Sequence, residues 1–368
     1  MLFNSYPVIS FLQTAISPIR SIAPEQPCAQ YLRLPSELRC IDHGLPLMDA
    51  TGAAQVTQSS RSLTCRAGCR VPVIRGIPRF VASEGYAAGF GRQWKRFRRT
   101  QLDSFTGTTI SRDRLLRCLG GSLAELRGKT VLEVGCGAGR FTELLLAIGA
   151  RVFSTDLSNA VEANYDNCCG AADYFVCQAD LRALPARRDS FDFVICLGVI
   201  QHTPDPEATI ATLSEFVRPG GRLVIDHYRY DAADMTVVRQ RLRSFLIRRD
   251  PRLALLFVRL LVAVLWPVHR LLWGLSANQW FAKARRLWLR YSPVLDYHDY
   301  YSYLGPRLLY AWATLDTHDC LTDFYKHKRT VEQISSCLQR LGLDSIEASY
   351  GGNGVEARAT RPVSAGGK

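Results

Sequence analysis

Between residues 129 and 228 the chain repeats one rhythm, a short apolar run followed by a stretch with apolar residues every three or four positions. That is the pattern of strands alternating with helices, and it predicts a mostly parallel sheet covered on both faces. Runs at 130–134, 151–155, 174–177, 191–197 and 222–227 read as strands. The clearest intervening helix is 141–148, closed by Gly149. The rhythm breaks at about residue 229. A long aromatic, mostly helical stretch follows to about 328, after which 331–341 reads as a helix and 345–350 and 355–360 as two closing strands. The division expected is a flexible tail at 1–35, a small cysteine-bearing segment at 36–82 and lead-in helices at 83–128. The α/β domain takes 129–228 and 329–362, and an inserted helical cap takes 229–328.

Charge changes this picture in one place. Residues 239–290 hold twelve Arg or Lys against a single acid, Asp250, a net of +11 out of the chain's +13. The basicity therefore belongs to the insert. Its apolar stretch at 253–273 is interrupted by Arg259, Pro267, His269 and Arg270, so its unbroken run is far shorter than the roughly 20 residues of a membrane span. Trp266, Trp273 and Trp280 repeat every seven residues among arginines, which suits an amphipathic helix at an anionic membrane surface. The alternatives are a cap packed over a substrate cleft with its arginines in solvent, or a cap that meets both. The twelve cysteines show no pairing framework and several lie inside apolar runs, which fits a reducing cytoplasm. The N-terminus has no basic residue before Arg20 and no continuous apolar core of the signal type. The expected location is cytoplasmic, with a peripheral position at the inner face of the membrane as the companion to a membrane-lying insert.

The chemistry concentrates at Thr130-Val-Leu-Glu133-Val-Gly135-Cys-Gly137-Ala-Gly139-Arg140, a strand, a glycine loop and a helix start. Glycines there permit a tight turn and close approach of a ligand. The spacing is Gly-x-Gly-x-Gly, with Arg140 where a dinucleotide fingerprint needs its last glycine. This string resembles the first motif of class I S-adenosylmethionine-dependent methyltransferases, and further motifs follow in that family's order. Asp156 ends the second strand; Gln178-Ala-Asp180-Leu181 follows the third; 191–202 resembles the fourth-strand motif and 218–225 the turn into the fifth. The resemblance implies a Rossmann-like doubly wound methyltransferase sheet, mostly parallel with an antiparallel closing strand. It implies that Glu133, Gly135, Gly137 and Gly139 surround the methionine portion of S-adenosyl-L-methionine, that Asp156 holds its ribose, and that Asp180 and Leu181 meet its adenine.

A hydroxyl acceptor must lose a proton, and a base near the strand ends helps. His202, beyond the fourth strand, is one candidate; Asp226 and His227, ending the fifth, form a second. The bland reading of His202 is a loop histidine bonded to a neighbouring carbonyl. The loop after the fourth strand lacks both the Pro-Pro-aromatic and the Pro-Cys motifs of two nucleobase-methylating groups, which counts against those chemistries.

Ahead of the domain, Cys40-Ile-Asp-His43 and Cys65-Arg-Ala-Gly-Cys69 offer two halves of a tetrahedral zinc site. The segment resembles the zinc-ribbon-like piece found ahead of many bacterial methyltransferase domains. Its first half departs from the usual Cys-Pro-x-Cys, so bound zinc and a metal-free remnant both stand. The same group carries a similar lead-in around Phe90 and Trp94, which lies beside the cofactor cleft, and a similar string at 315–319. Its members accompany polysaccharide and secondary-metabolite pathways. The expected activity is transfer of a methyl group to a small-molecule, sugar or lipid-linked acceptor, at a hydroxyl. RNA methylation and a non-catalytic methyltransferase-like binding module are the alternatives, and the expected partners are a small-molecule or glycan acceptor and, through 239–290, an anionic membrane.

Overall fold

A computed structural model describes residues 31–230 and 236–363; most of the expected tail lies outside them. The chain opens with six short strands, β1 (Tyr31–Arg33), β2 (Met48–Asp49), β3 (Gln55–Thr57), β4 (Ser62–Thr64), β5 (Arg70–Ile74) and β6 (Ile77–Pro78). They form a two-stranded sheet, β1 with β3, and a four-stranded one in the order β2-β4-β5-β6. Helices α1 (Ala88–Arg96), α2 (Asp103–Thr106) and α3 (Ile110–Leu119) lead into the large sheet.

That sheet is built from β7 (Thr130–Val134), α4 (Thr142–Ile148), β8 (Arg151–Asp156), α5 (Val161–Cys168), β9 (Tyr174–Gln178), β10 (Phe191–Cys196), α6 (Pro206–Ser214) and β11 (Val217–His227). Helices α7 (Val237–Leu246), α8 (Pro251–Gly274), α9 (Gln279–Tyr291), α10 (His298–Tyr301) and α11 (Gly305–Thr322) make the insert, and α12 (Val331–Arg340), β12 (Asp344–Gly351) and β13 (Gly354–Thr360) complete the chain. The seven strands run in the order β12-β13-β11-β10-β7-β8-β9, with β13 antiparallel to both neighbours and the central pairs parallel. This is the doubly wound sheet with an antiparallel closing strand.

Both faces of the sheet are buried, and alternation along each strand assigns them. Val131, Val152, Phe193, Ile195 and Val224 pack with Leu115 of α3 and Leu144 and Leu145 of α4. Their neighbours Leu132, Phe153, Val194, Cys196, Leu223 and Ile225 pack with α5, α6 and α12 through Val161, Ile210, Leu213, Ile334 and Leu338. Local chemistry fixes the helix ends. Gly149 caps α4 at a φ of 89°. Asp205 caps α6 ahead of Pro206, and Thr330 with Gln333 makes a reciprocal capping box on α12.

The N-terminal segment docks on the outer edge of the sheet at β9. The Phe80 amide donates to the Gln178 carbonyl at 2.8 Å. The Arg79 guanidinium bridges Gln178 Oε1 and Glu162 Oε1, each at 3.0 Å. Ten cysteines among the described residues are free thiols.

The insert has its own core. On α8, Ala254, Val258, Val262, Trp266 and His269 form one buried face, packed with Leu309, Trp312 and Ala313 of α11. This corrects the picture of three equivalent tryptophans at a membrane surface. Trp266 sits edge-on to Trp273 and Tyr310, Trp273 donates its indole N–H to Asp296 at 2.8 Å, and only Trp280 points outward, 79% exposed. Trp266 and Trp273, seven apart on α8, stay close to one face, but α8 ends at Gly274, so Trp280 belongs to α9 and leaves that register. By length and composition α8 is long and apolar enough to cross a membrane. Its inner face is nevertheless committed to α11, with His269 buried against Asp296 at 2.9 Å.

Candidate active site

Beyond the carboxyl ends of β7, β8 and β10 lies a cavity of about 540 Å³, at the edge where sheets of this kind bind ligands. Its floor is the glycine loop. The Gly135 and Cys136 amides donate to the Thr155 carbonyl at 2.7 and 3.0 Å, and the Gly137 amide donates to Asp156 Oδ2 at 3.0 Å. Gly135 has a φ of 78°, and a Cβ there would lie 2.1 Å from Val199 Cγ2, so neither the turn nor the packing admits a side chain. At Gly137 a Cβ would press on the Trp94 indole at 3.3 Å.

Asp156 is fixed by its neighbours. Oδ1 accepts from the Ser158 amide at 2.8 Å and its hydroxyl at 2.7 Å, while Oδ2 accepts only the Gly137 amide among the described residues and keeps a lone pair toward the cavity. Burial raises its pKa above the ordinary carboxylate value, against the pull of these hydrogen bonds. Glu133 stands behind the loop. Its Oε2 accepts from Thr142 at 2.6 Å and Ser154 at 2.8 Å, its Oε1 is buried without a partner, and burial pushes its pKa up to about 7.

The other implied positions divide. Leu181 and Ala179 line the cavity. Asp180 does not, because its side chain caps the turn that follows and pairs with Arg182. Gly139 also faces away, toward Asn164 and Cys168 of α5; its φ of 96° serves the turn into α4.

Of the three candidate bases only His202 lines the cavity. Its Nδ1 lies 3.1 Å from the Tyr325 carbonyl oxygen. A carbonyl can only accept, so Nδ1 carries the proton and Nε2 keeps a lone pair. Phe90 and Tyr228 hold the ring at centroid distances of 5.3 and 5.2 Å, and Asp323 lies 3.6 Å from Nδ1. Asp226, by contrast, is fully buried and saturated by the Arg114 guanidinium, the Gly198 amide and Asn353. His227 donates to the Tyr228 carbonyl, and burial brings its pKa down to about 4. Asp226 and His227 are therefore placed as supports of the wall; β11 is buried here, and its last side chains point into packing.

The far wall comes from the insert, in part from the string at 315–319 that resembles the bacterial group. Asp316 and Asp319 reach the cavity from α11, joined by Tyr297, Lys326 and, from the loop after Gly139, Arg140. Arg140 is held by Ser111 at 2.8 Å and Gln101 at 2.8 Å, and burial lowers its pKa to about 10, so it stays charged at neutral pH. Burial pushes Asp316 up to about 7, with the Tyr297 hydrogen bond opposing. Tyr86, Phe90 and Trp94 of the lead-in roof the cofactor side.

The family described as "Methyltransferase domain" matches residues 132–225, the stretch that carries the glycine loop, Asp156, Leu181 and His202. The chain carries a class I methyltransferase domain. Over 104 residues it is 36% identical to the ubiquinone biosynthesis O-methyltransferase of Aromatoleum aromaticum, covering 27% of this chain and 44% of that enzyme. Over 112 residues it is 37% identical to the enzyme of the same name from Ralstonia nicotianae, covering 28% and 44%. The chain thus spans less than half the length of the curated relatives it matches. The crystal structure of magnesium protoporphyrin IX methyltransferase from Synechocystis PCC 6803 aligns at a TM-score of 0.39 with 16% identity, over 76% of this chain and 97% of that one. S-adenosylmethionine, the cofactor of such domains, is compatible with this cavity: Asp156 keeps an acceptor lone pair and the turn at Gly135 admits no side chain.

Apart from this cavity, Cys40, His43, Cys65 and Cys69 bring their donor atoms within 4.8 Å of one another. The His43 Nδ1 to Sγ distances are 3.7, 3.8 and 3.2 Å, close to the roughly 3.5 Å that tetrahedral zinc bond lengths give.

Proposed function

We propose that this chain is an S-adenosylmethionine-dependent O-methyltransferase acting on a hydroxyl of a small molecule, with a sugar or lipid-linked acceptor as the finer reading. The observation that carries it is the continuity of one cavity from the glycine loop and Asp156 to His202 and the wall of α11. The relatives named ubiquinone biosynthesis O-methyltransferase support oxygen as the acceptor atom. When bound, the cofactor supplies a methyl group already activated on a sulfonium. The chain's part is then placement and proton handling. Asp156 Oδ2 accepts from one ribose hydroxyl, with Gly135, Gly137 and Leu181 along the cofactor, Glu133 behind the loop, and Trp94 and Phe90 excluding water. Tyr297, Asp316 and Arg140 orient the acceptor from the far side. His202 Nε2 takes the hydroxyl proton, and Asp323 steadies the imidazolium that results.

Incubation with methyl-labelled S-adenosylmethionine and a panel of phenols, sugars and lipid-linked glycans tests the reading. Label is expected on an acceptor oxygen. Cofactor binding with label reaching only RNA or amines would replace it, and folded protein that binds no cofactor would favour the binding module.

The working location that accompanies this reading is the cytoplasm, at the inner face of the membrane. In the N-terminal segment Cys40, His43, Cys65 and Cys69 are assigned to one structural zinc ion. Metal analysis of the purified chain is expected to find about one zinc per chain. Cys65→Ser should lose the metal and lower the Tm, while methyl transfer by the surviving folded fraction persists; a metal-free parent chain would count the segment as a remnant.

A further inference from the structure

Beneath the insert, where α8 crosses α1, lies a second recess of about 310 Å³, lined by Arg92, Lys95, Asn159, Arg252, Leu255, Leu256 and Arg259. Four of its lining residues are cationic and none is acidic. Lys95 is already paired with Glu162 at 2.7 Å, whereas Arg252 and Arg259 have no acidic partner among the described residues. Two polar atoms of its lining residues, Arg92 Nε, a donor, and Asn159 Oδ1, an acceptor, are buried without a partner behind its surface. Buried donors of this kind cost stability unless something accepts from them.

The outer face of α8 adjoins the recess. Leu253, Leu256, Leu260, Val264 and Leu271 are 49–71% exposed, and at 100° per residue they fall on one stripe. Arg252, Arg259 and Arg270, spaced seven and eleven residues apart, follow a single edge of that stripe. Trp280 and Leu287 of α9 extend the apolar surface, with Lys283 over the Trp280 ring at 5.4 Å. A contiguous apolar stripe edged by arginine is what an interfacial helix presents to lipid, with long cationic side chains reaching back to the phosphate level.

We propose that the recess between α1 and α8 seats the phosphate of an anionic phospholipid while the outer stripe of α8 lies among the acyl chains, docking the protein on an anionic membrane surface. Residues 239–290 carry a net charge of +11, and although Arg243 and Arg285 are paired with acids outside that stretch and Arg239 is buried, the remaining cations supply the complementary field. Arg252 and Arg259, which have no acidic partner among the described residues, donate to the phosphate oxygens. The docking rests on the inner-face location proposed above and is separate from the chemistry of the methyl-transfer site.

Flotation of the full chain with vesicles tests it, comparing phosphatidylglycerol mixed with phosphatidylcholine against phosphatidylcholine alone. Binding is expected only with the anionic lipid and is expected to weaken as salt is raised. Arg252→Glu with Arg259→Glu should weaken binding on the order of a hundred-fold or more, given the worth of each surface charge. Leu260→Glu with Val264→Glu should abolish flotation at unchanged net cation content in the recess. Both double variants should keep the parent's Tm and S-adenosylmethionine affinity, so a failure of docking and a failure of the methyltransferase reading register separately. Equal binding to neutral vesicles, variants that float like the parent, full competition by free inorganic phosphate, or a stripe that proves to be covered in a dimer broken by Leu260→Glu would each overturn the proposal.

Discussion

An Asp156→Ala variant is expected to bind S-adenosylmethionine at least about a hundred-fold more weakly than the parent chain by calorimetry. A hydrogen bond to a charged group is worth about 1.5–3 kcal/mol, so the ribose hydroxyl on the remaining Oδ2 lone pair alone accounts for roughly ten- to a hundred-fold, with about 1.4 kcal/mol corresponding to each tenfold. The variant also loses the anchor of the Gly137 amide, held at 3.0 Å by Oδ2, so the loop that frames the cofactor loosens. Asp156→Asn keeps the shape, and Oδ1 can still accept from Ser158, so it should fall between the two. The sign of the pH effect follows from burial, which raises the Asp156 pKa. Protonation therefore begins at higher pH than for an exposed aspartate, and affinity should decline as pH falls from neutral. Parent-like affinity in the alanine variant would move the ribose elsewhere.

His202→Gln should leave cofactor affinity within about twofold and lower kcat by about 10²–10³, the usual contribution of a positioned general base. The split matters because a structural role would move stability or cofactor binding instead. Glutamine preserves a donor toward the Tyr325 carbonyl, 3.1 Å from Nδ1 in the parent, but has no basic nitrogen at the Nε2 place. The loss should shrink with acceptors whose hydroxyl is more acidic, since these need less help in losing a proton. A variant that retains full kcat on a weakly acidic alcohol would remove His202 from the chemistry.

The sheet was legible because its strands are buried on both faces and read as unbroken apolar runs, and because glycines at 135, 137 and 139 leave a signature no other local structure needs. Side-chain direction at strand ends was less so. His202, Asp226 and His227 look alike in sequence, and what separates them is a guanidinium on Asp226 contributed by α3, more than a hundred residues earlier. Asp180 matches its motif in the chain, yet its carboxylate is taken by Arg182 two residues on. On the acceptor side only the string at 315–319 carried a signal, through its resemblance to the bacterial group, and Tyr297 carried none. Tyr297 and Asp316 meet there because α8 and α11 pack through Trp266, Trp312 and Ala313, and long-range packing of two inserted helices leaves no local spacing to read.

Asp323 ties these regions together in a way that bears on redesign. It is fully buried, accepts from Arg243 of α7 at 2.8 Å, pairs with Lys326 at 3.1 Å and faces His202. Trimming α7 to shrink the protein would strip this carboxylate of the Arg243 guanidinium and loosen the neighbour that faces the imidazole. On the proposed assignment, a chimera that borrows another acceptor range must therefore carry the whole stretch from α7 through Lys326 as one transplant, because the proposed acceptor wall and the strut behind the proposed base are the same piece of chain.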